Sequence, residues 1–113
     1  MYKLLLTFSI LLFSTISNAG VVSQGNLMVT KILAGYATGE AYFYTDIAPV
    51  NPNNCSTTSG TNKILAIDPT KSNVDQVLSI LLMAKASSSK IEIQVYDDSC
   101  YGTYAVIRRV AVY

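Results

Sequence analysis

The chain has 113 residues, half of them hydrophobic and 13% charged, with eight lysines and arginines against seven aspartates and glutamates. So short a chain makes one domain, and so balanced a charge excludes a nucleic-acid binder, which needs clustered basic side chains to neutralise phosphates. There is no histidine, which removes the usual general base and the usual zinc ligand.

Met1-Tyr2-Lys3 is a short basic start. Leu4 to Ile16 is an apolar run interrupted by Thr7, Ser9, Ser14 and Thr15, and Ser17-Asn18-Ala19 places small residues at the −3 and −1 positions of a cleavage site. This is the pattern of a secretory signal peptide over residues 1–19. The run is short for a membrane anchor, which needs about 20 apolar residues. Cleavage after Ala19 leaves a domain of residues 20–113 with seven basic and seven acidic residues, because Lys3 is lost. The expected location is therefore secreted or periplasmic, with no membrane span after cleavage.

GVVSQGN reads as a lead-in. Leu27 to Ala34 alternates as a first strand, and Gly35 and Gly39 mark a turn. Ala41 to Ile47 is a second strand, with Tyr42, Tyr44 and Asp46 on one face and Ala41, Phe43, Thr45 and Ile47 on the other. The prolines, asparagines and glycine of PVNPNNCSTTSGTNK make a long loop. Ile64 to Ile67 is a third strand, ended by Asp68-Pro69 because proline cannot donate to a ladder.

Helical spacing then takes over. Ser72 is the predicted N-cap, with Asp75 three residues on favouring the positive helix end. Val74, Val77, Leu78, Leu81 and Leu82 form one apolar stripe, and Ser87-Ser88-Ser89 closes the helix. Lys90 to Asp97 is a fourth strand with Ile91, Ile93 and Val95 inward. DDSCYG is a turn, and Thr103 to Tyr113 is a fifth strand, apolar on both faces. Arg108-Arg109 is the only basic pair, and neighbours on a strand point to opposite faces.

The result is a mainly β domain with one helix, in the order β-β-β-α-β-β. A helix between the third and fourth of five strands is the connectivity of the OB-fold, a partly open five-stranded barrel. A sandwich, or a sheet covered by one helix, satisfies the same pattern. Cys55 and Cys100 form an even pair in an exported chain, which predicts a disulfide. Closing so long a loop stabilises a small domain by about 4 kcal/mol at most. Two cysteines without histidine do not complete an ordinary zinc shell.

NPNNC, LLMAKASSSKIEIQVYDDSC and YAVIRRVAVY together resemble a group of small, mostly uncharacterised exported bacterial proteins over residues 27 to 113. Three serines stand here where a glycine is expected after the helix. The architecture is also similar to the OB-fold B subunits of bacterial A–B toxins, the subtilase cytotoxin and pertussis-like group. That second resemblance implies a glycan-binding, ring-forming homo-oligomer, and it carries no residue across.

No nucleophile–base pair and no glycine-rich phosphate loop occurs. Asp97-Asp98 is the only carboxylate pair, and with Asp46 or Asp68 it is the only candidate for a hard cation; a solvated turn accounts for it. No catalytic residue, metal ligand or cofactor is therefore expected, and the function expected is binding. Tyr36, Tyr42, Tyr44, Tyr96, Tyr101 and Tyr104 fall where an OB-fold binds, on its second strand and its 1–2 and 4–5 loops. Tyrosine offers a ring for stacking and a hydroxyl for hydrogen bonds, which suits a glycan or a protein partner. Tyrosines also suit strand walls for purely structural reasons. The alternative function is a structural or inhibitory protein pairing its strand edges with another chain.

Overall fold

The computed structural model describes residues 20–113, so the predicted signal peptide lies outside the described residues. Six strands and one helix follow in the order β1 (Val21–Leu27), β2 (Val29–Leu33), β3 (Ala41–Thr45), β4 (Ile64–Ile67), α1 (Val74–Ser87), β5 (Ile91–Tyr101) and β6 (Tyr104–Val112). They form one sheet ordered β1-β5-β6-β4-β3-β2. Every pairing is antiparallel except the parallel β4–β6 contact, where Ala66 meets Val106. The protein is thus mainly β with one helix and one disulfide, as the sequence suggests, but its backbone ladder is an open sheet of six strands rather than five.

The sixth strand is β1, the segment expected to be a lead-in. Its Ser23, Gln24, Gly25 and Asn26 carry no strand signal, yet Val21 to Gln24 pair in register with Tyr96 to Ile93 of β5. The ladder then slips between Gln24 and Leu27. Asn26 adopts a left-handed φ of 60° there, a conformation asparagine tolerates better than branched residues. Gly25 leaves room for the Tyr113 hydroxyl, which a Cβ at this position would displace. The bulge bends the chain, and after Met28 it continues as β2 at the opposite end of the sheet. The two end strands are therefore consecutive in the chain, with Leu27 and Val29 both buried in the same core.

Hydrogen bonds tie β1 and the Met28 link to the segment after β3. The Gln24 amide donates to the Ala48 carbonyl at 3.2 Å and accepts from the Val50 N–H at 2.7 Å, substituting for a strand partner. Asp46 accepts from the Met28 N–H at 2.8 Å through its carboxylate and donates its own N–H to the Met28 carbonyl at 3.0 Å. Lys63 donates to the Asp46 carbonyl at 2.7 Å.

Phe43, Leu65, Ile67, Ile91, Ile93, Val95 and Ile107 face one core, which α1 covers with Val77, Leu81 and Ala84. The helix lies against β6 and β2. Its cap and stripe differ from expectation. Asn73, not Ser72, is the N-cap, accepting from the Gln76 N–H at 3.1 Å. The Ser72 hydroxyl is spent on the Arg108 carbonyl at 2.8 Å. Leu82 is 57% exposed. At about 100° per residue it falls on the far side of the stripe from Ala84, which takes its place in the core. Ser88 ends the helix in the left-handed conformation that glycine usually fills.

DDSC is not a turn. β5 runs on to Tyr101, with a three-residue excess over β6 between the Val95–Ile107 and Cys100–Ala105 pairs, so Asp97 and its neighbours lie in a bulge. The reversal itself is two residues, Gly102-Thr103. Gly102 has a φ of 58° and Thr103 does not have positive φ, which fits a type II′ hairpin.

Candidate functional site

Alternation along the strands builds the outer face of the sheet. Tyr42 pairs with Ala66, and Ala66 with Val106, so these three form one row across β3, β4 and β6. Tyr104 lies two residues before Val106 and shares its face. Neither Ala66 nor Val106 belongs to the main core, yet both are fully buried. Tyrosine rings are what cover them. β3 and β6 are two strand spacings apart, roughly 9.6 Å, but the Tyr42 and Tyr104 ring centroids are only 4.7 Å apart. The two rings therefore lean together over Ala66, which is small enough to allow it.

Two further rings complete the cluster. Tyr36, in the loop after β2, meets Tyr42 edge-on at 5.4 Å, and Tyr101 lies 6.5 Å from Tyr42. Tyr101 and Tyr104 flank the Gly102-Thr103 turn and are partners in the ladder. Four of the six tyrosines singled out in the sequence are thus brought together around Tyr42. Tyr36 is the most accessible, at 45% exposure, and the other three are half-buried.

Tyr44 and Tyr96 are not members. Tyr44 pairs with Ile64 on the same face of β3, and the Lys31 ammonium sits 5.4 Å from its ring centre. Tyr96 lies in the bulge of β5 under the Lys71 ammonium at 4.7 Å. Both contacts are cation–π pairs that occupy the ring faces.

A carboxylate that sequence reasoning did not single out borders the cluster. Glu40 directly precedes β3. The Thr38 hydroxyl donates to it, and this bond, helped by its own backbone N–H and by the Tyr101 hydroxyl, holds its carboxyl below the usual range. Burial raises the Tyr42 phenol, with Glu40 and the neighbouring phenols adding to the effect. Burial likewise raises Tyr101, followed by the charges of Glu40 and Asp68. Asp68 is 8% exposed and accepts from the Thr70 N–H and hydroxyl at 2.9 and 2.7 Å. The only signal for Glu40 in the sequence is its position two residues before Tyr42, which puts it on the same face of an extended segment.

The NPNNC loop is the scaffold behind Tyr101. Cys55 and Cys100 are joined, with Cα atoms 5.8 Å apart. Asn51 accepts from the Cys55 N–H at 2.8 Å and donates to the Cys55 carbonyl at 3.0 Å. Asn53 donates to the Tyr96 and Ser99 carbonyls at 3.2 and 3.0 Å, which clamps the β5 bulge. Buried Thr58 donates to the Ile64 carbonyl at 3.0 Å and accepts from the Ala105 N–H at 2.7 Å. The carboxylates considered for a cation are separately engaged: Asp46 on Met28, Asp68 on Thr70, and Asp98 with the Ser99 hydroxyl at 3.2 Å.

No protein-family model matches this chain, and neither a curated protein nor a solved structure matches it.

Proposed function

We propose that the mature chain is a non-enzymatic glycan-binding module of the bacterial exterior or periplasm, and that Tyr36, Tyr42, Tyr101 and Tyr104 are its ligand surface. The observation that carries this reading is the convergence of four tyrosines from the loop after β2, from β3 and from the two sides of the β5–β6 turn. Phenol rings present flat apolar faces to the C–H side of a sugar, and their hydroxyls and Glu40 supply hydrogen-bond partners to its rim. The sheet holds Tyr42 and Tyr104, and the disulfide holds Tyr101, so little ordering is left to be done on binding.

The same reading treats the sheet as an OB-like barrel. β1 and β2 become two halves of one strand bent at the Gly25-Asn26 bulge, and merging them restores five strands with α1 between the third and fourth. The alternative reading, a protein that offers a strand edge to another chain, is weakened by Gln24, whose amide already engages the loop beyond β3.

The test is a glycan array probed with the oxidised chain from residue 20 onward. Binding that is lost in Tyr36→Ala and reduced in Tyr101→Phe supports the proposal. No glycan binding, together with a stable one-to-one complex with a larger protein, overturns it. Light scattering separates a B-subunit-like ring, which would present the cluster several times, from a monomer, which would present it once.

A further inference from the structure

We infer that the ligand recognised by the tyrosine cluster carries a protonated amine, so that within the glycan reading above, on which this inference rests, the site selects amino sugars with a free ammonium group over neutral or acidic ones. The protein treats its tyrosines in two ways. Among the described residues, two rings have an ammonium over them, Tyr44 with Lys31 and Tyr96 with Lys71. Among the described residues none of the four clustered rings has an ammonium over it. Glu40 directly precedes β3, two residues before Tyr42 and on its face of the extended segment, and its charge acts on both Tyr42 and Tyr101, with Asp68 adding to Tyr101.

Aromatic faces carry negative potential and attract cations. A carboxylate at their edge adds a charge partner, and a carboxylate also repels any uronic or sialic acid. Glu40 suits this role because it stays ionised and only half-buried at the rim, while Thr38 fixes its direction. Asp68 is committed to Thr70 and contributes only its field. An N-acetylated sugar would stack on the rings equally well but would leave the carboxylate without its ion.

The experiment is calorimetric titration of the oxidised chain with a glucosamine tetramer, with the fully N-acetylated tetramer, and with a galacturonate tetramer. The expected result is binding of the free amine about tenfold tighter than the acetylated form, equivalent to one charge-assisted contact with its cation–π share, and no binding of the galacturonate. Glu40→Gln is expected to remove that preference while both neutral stacking and the thermal melting profile persist. If Glu40→Gln does not fold, raising the salt concentration on the unmodified chain decides the point, because screening weakens only the ionic contribution. Equal affinity for the amine and acetylated forms overturns this inference and leaves the glycan reading standing. Failure of all three tetramers to bind overturns this inference, and the glycan array decides the glycan reading separately.

Discussion

Tyr42 and Tyr44 lie two residues apart on the same face of one strand, and the fold gives them opposite surroundings. The difference comes from the neighbours across the ladder. Tyr42 faces Ala66, whose single methyl lets rings from β3 and β6 meet above it. Tyr44 faces Ile64 on one side and Lys31 of β2 on the other, and its ring pairs with the Lys31 ammonium. Identical residues on one face of one strand thus become a shared aromatic surface or an isolated ion-covered wall, according to their cross-strand partners, Leu33 and Ala66 for Tyr42 against Lys31 and Ile64 for Tyr44. Tyr101 belongs to the first class because the disulfide at Cys100 fixes the neighbouring backbone.

The largest break in this comparison is removal of the disulfide. Cys55→Ser with Cys100→Ser is expected to cost about 2–4 kcal/mol, read as a lower midpoint in urea. The loss should fall unevenly. Near-ultraviolet circular dichroism from the Tyr42 cluster weakens, because Tyr101 and the β5 bulge lose their anchor, whereas the Tyr44–Lys31 pair on β3 and β2 does not depend on it. Equal perturbation of both regions would refute the division.

Next in size is Ala66→Leu. It inserts bulk between Tyr42 and Tyr104, and overpacking of this kind costs about 1–3 kcal/mol. Ile64→Leu, a swap of equal volume under Tyr44, is expected to cost less than about 1.5 kcal/mol. Thr58→Val is of similar size to the first, about 1–3 kcal/mol, because it leaves the Ala105 N–H and Ile64 carbonyl buried without a partner. Thermal melts of the three variants order them directly.

Much of this arrangement was legible in the sequence. The alternation of Ala41 to Thr45 gave the correct faces, the helix fell where its stripe lay, and the two cysteines paired. β1 was illegible because Ser23, Gln24, Gly25 and Asn26 have no strand preference; they form a strand because β5 supplies the ladder and Gln24 finds the Ala48–Val50 backbone. The cap was misplaced because Ser72 and Asn73 are both good caps, and only tertiary structure shows that Ser72 is drawn to Arg108. Grouping six tyrosines by loop and strand could not separate four from two, since the separation depends on Ala66 against Ile64 and on where Lys31 and Lys71 reach. Glu40 was missed because one glutamate between a turn and a strand has no pattern of its own.

A pH titration sharpens the comparison at the other end of β3. The Asp46 carboxyl is held below its ordinary range chiefly by the Met28 N–H. A depressed folded value means the folded state releases this proton more readily than the unfolded chain. The stabilisation is therefore complete above about pH 4, the ordinary aspartate value, and is lost as pH falls through the lower folded value. Asp46→Asn is expected to flatten this acid limb of the melting temperature. Glu40 at the Tyr42 cluster is lowered by Thr38 and its own N–H, with no contribution from Tyr36, so Tyr36→Ala should leave the limb unchanged.

The smallest expected effect tests the ion-covered class itself. Lys31→Met and Lys71→Met each remove an ammonium from a tyrosine ring and keep an apolar stem of similar length. An exposed cation–π pair contributes about 0.5–1 kcal/mol, and Lys71 also donates to the Ser99 hydroxyl at 2.6 Å, so Lys71→Met should cost slightly more than Lys31→Met. The stability change is less informative than the consequence for binding. Both variants uncover a tyrosine face, but Tyr44 has no Glu40 beside it and is not in the ring cluster around Tyr42. If rings alone make the site, Lys31→Met creates a second weak site for a glucosamine tetramer and calorimetry reports a stoichiometry above one. If the carboxylate and the ring cluster are needed together, the stoichiometry is unchanged. The second outcome is expected, because a single solvent-exposed ring holds a cation too weakly to compete with its hydration, and only the row closed over Ala66 offers several faces and a fixed charge at once.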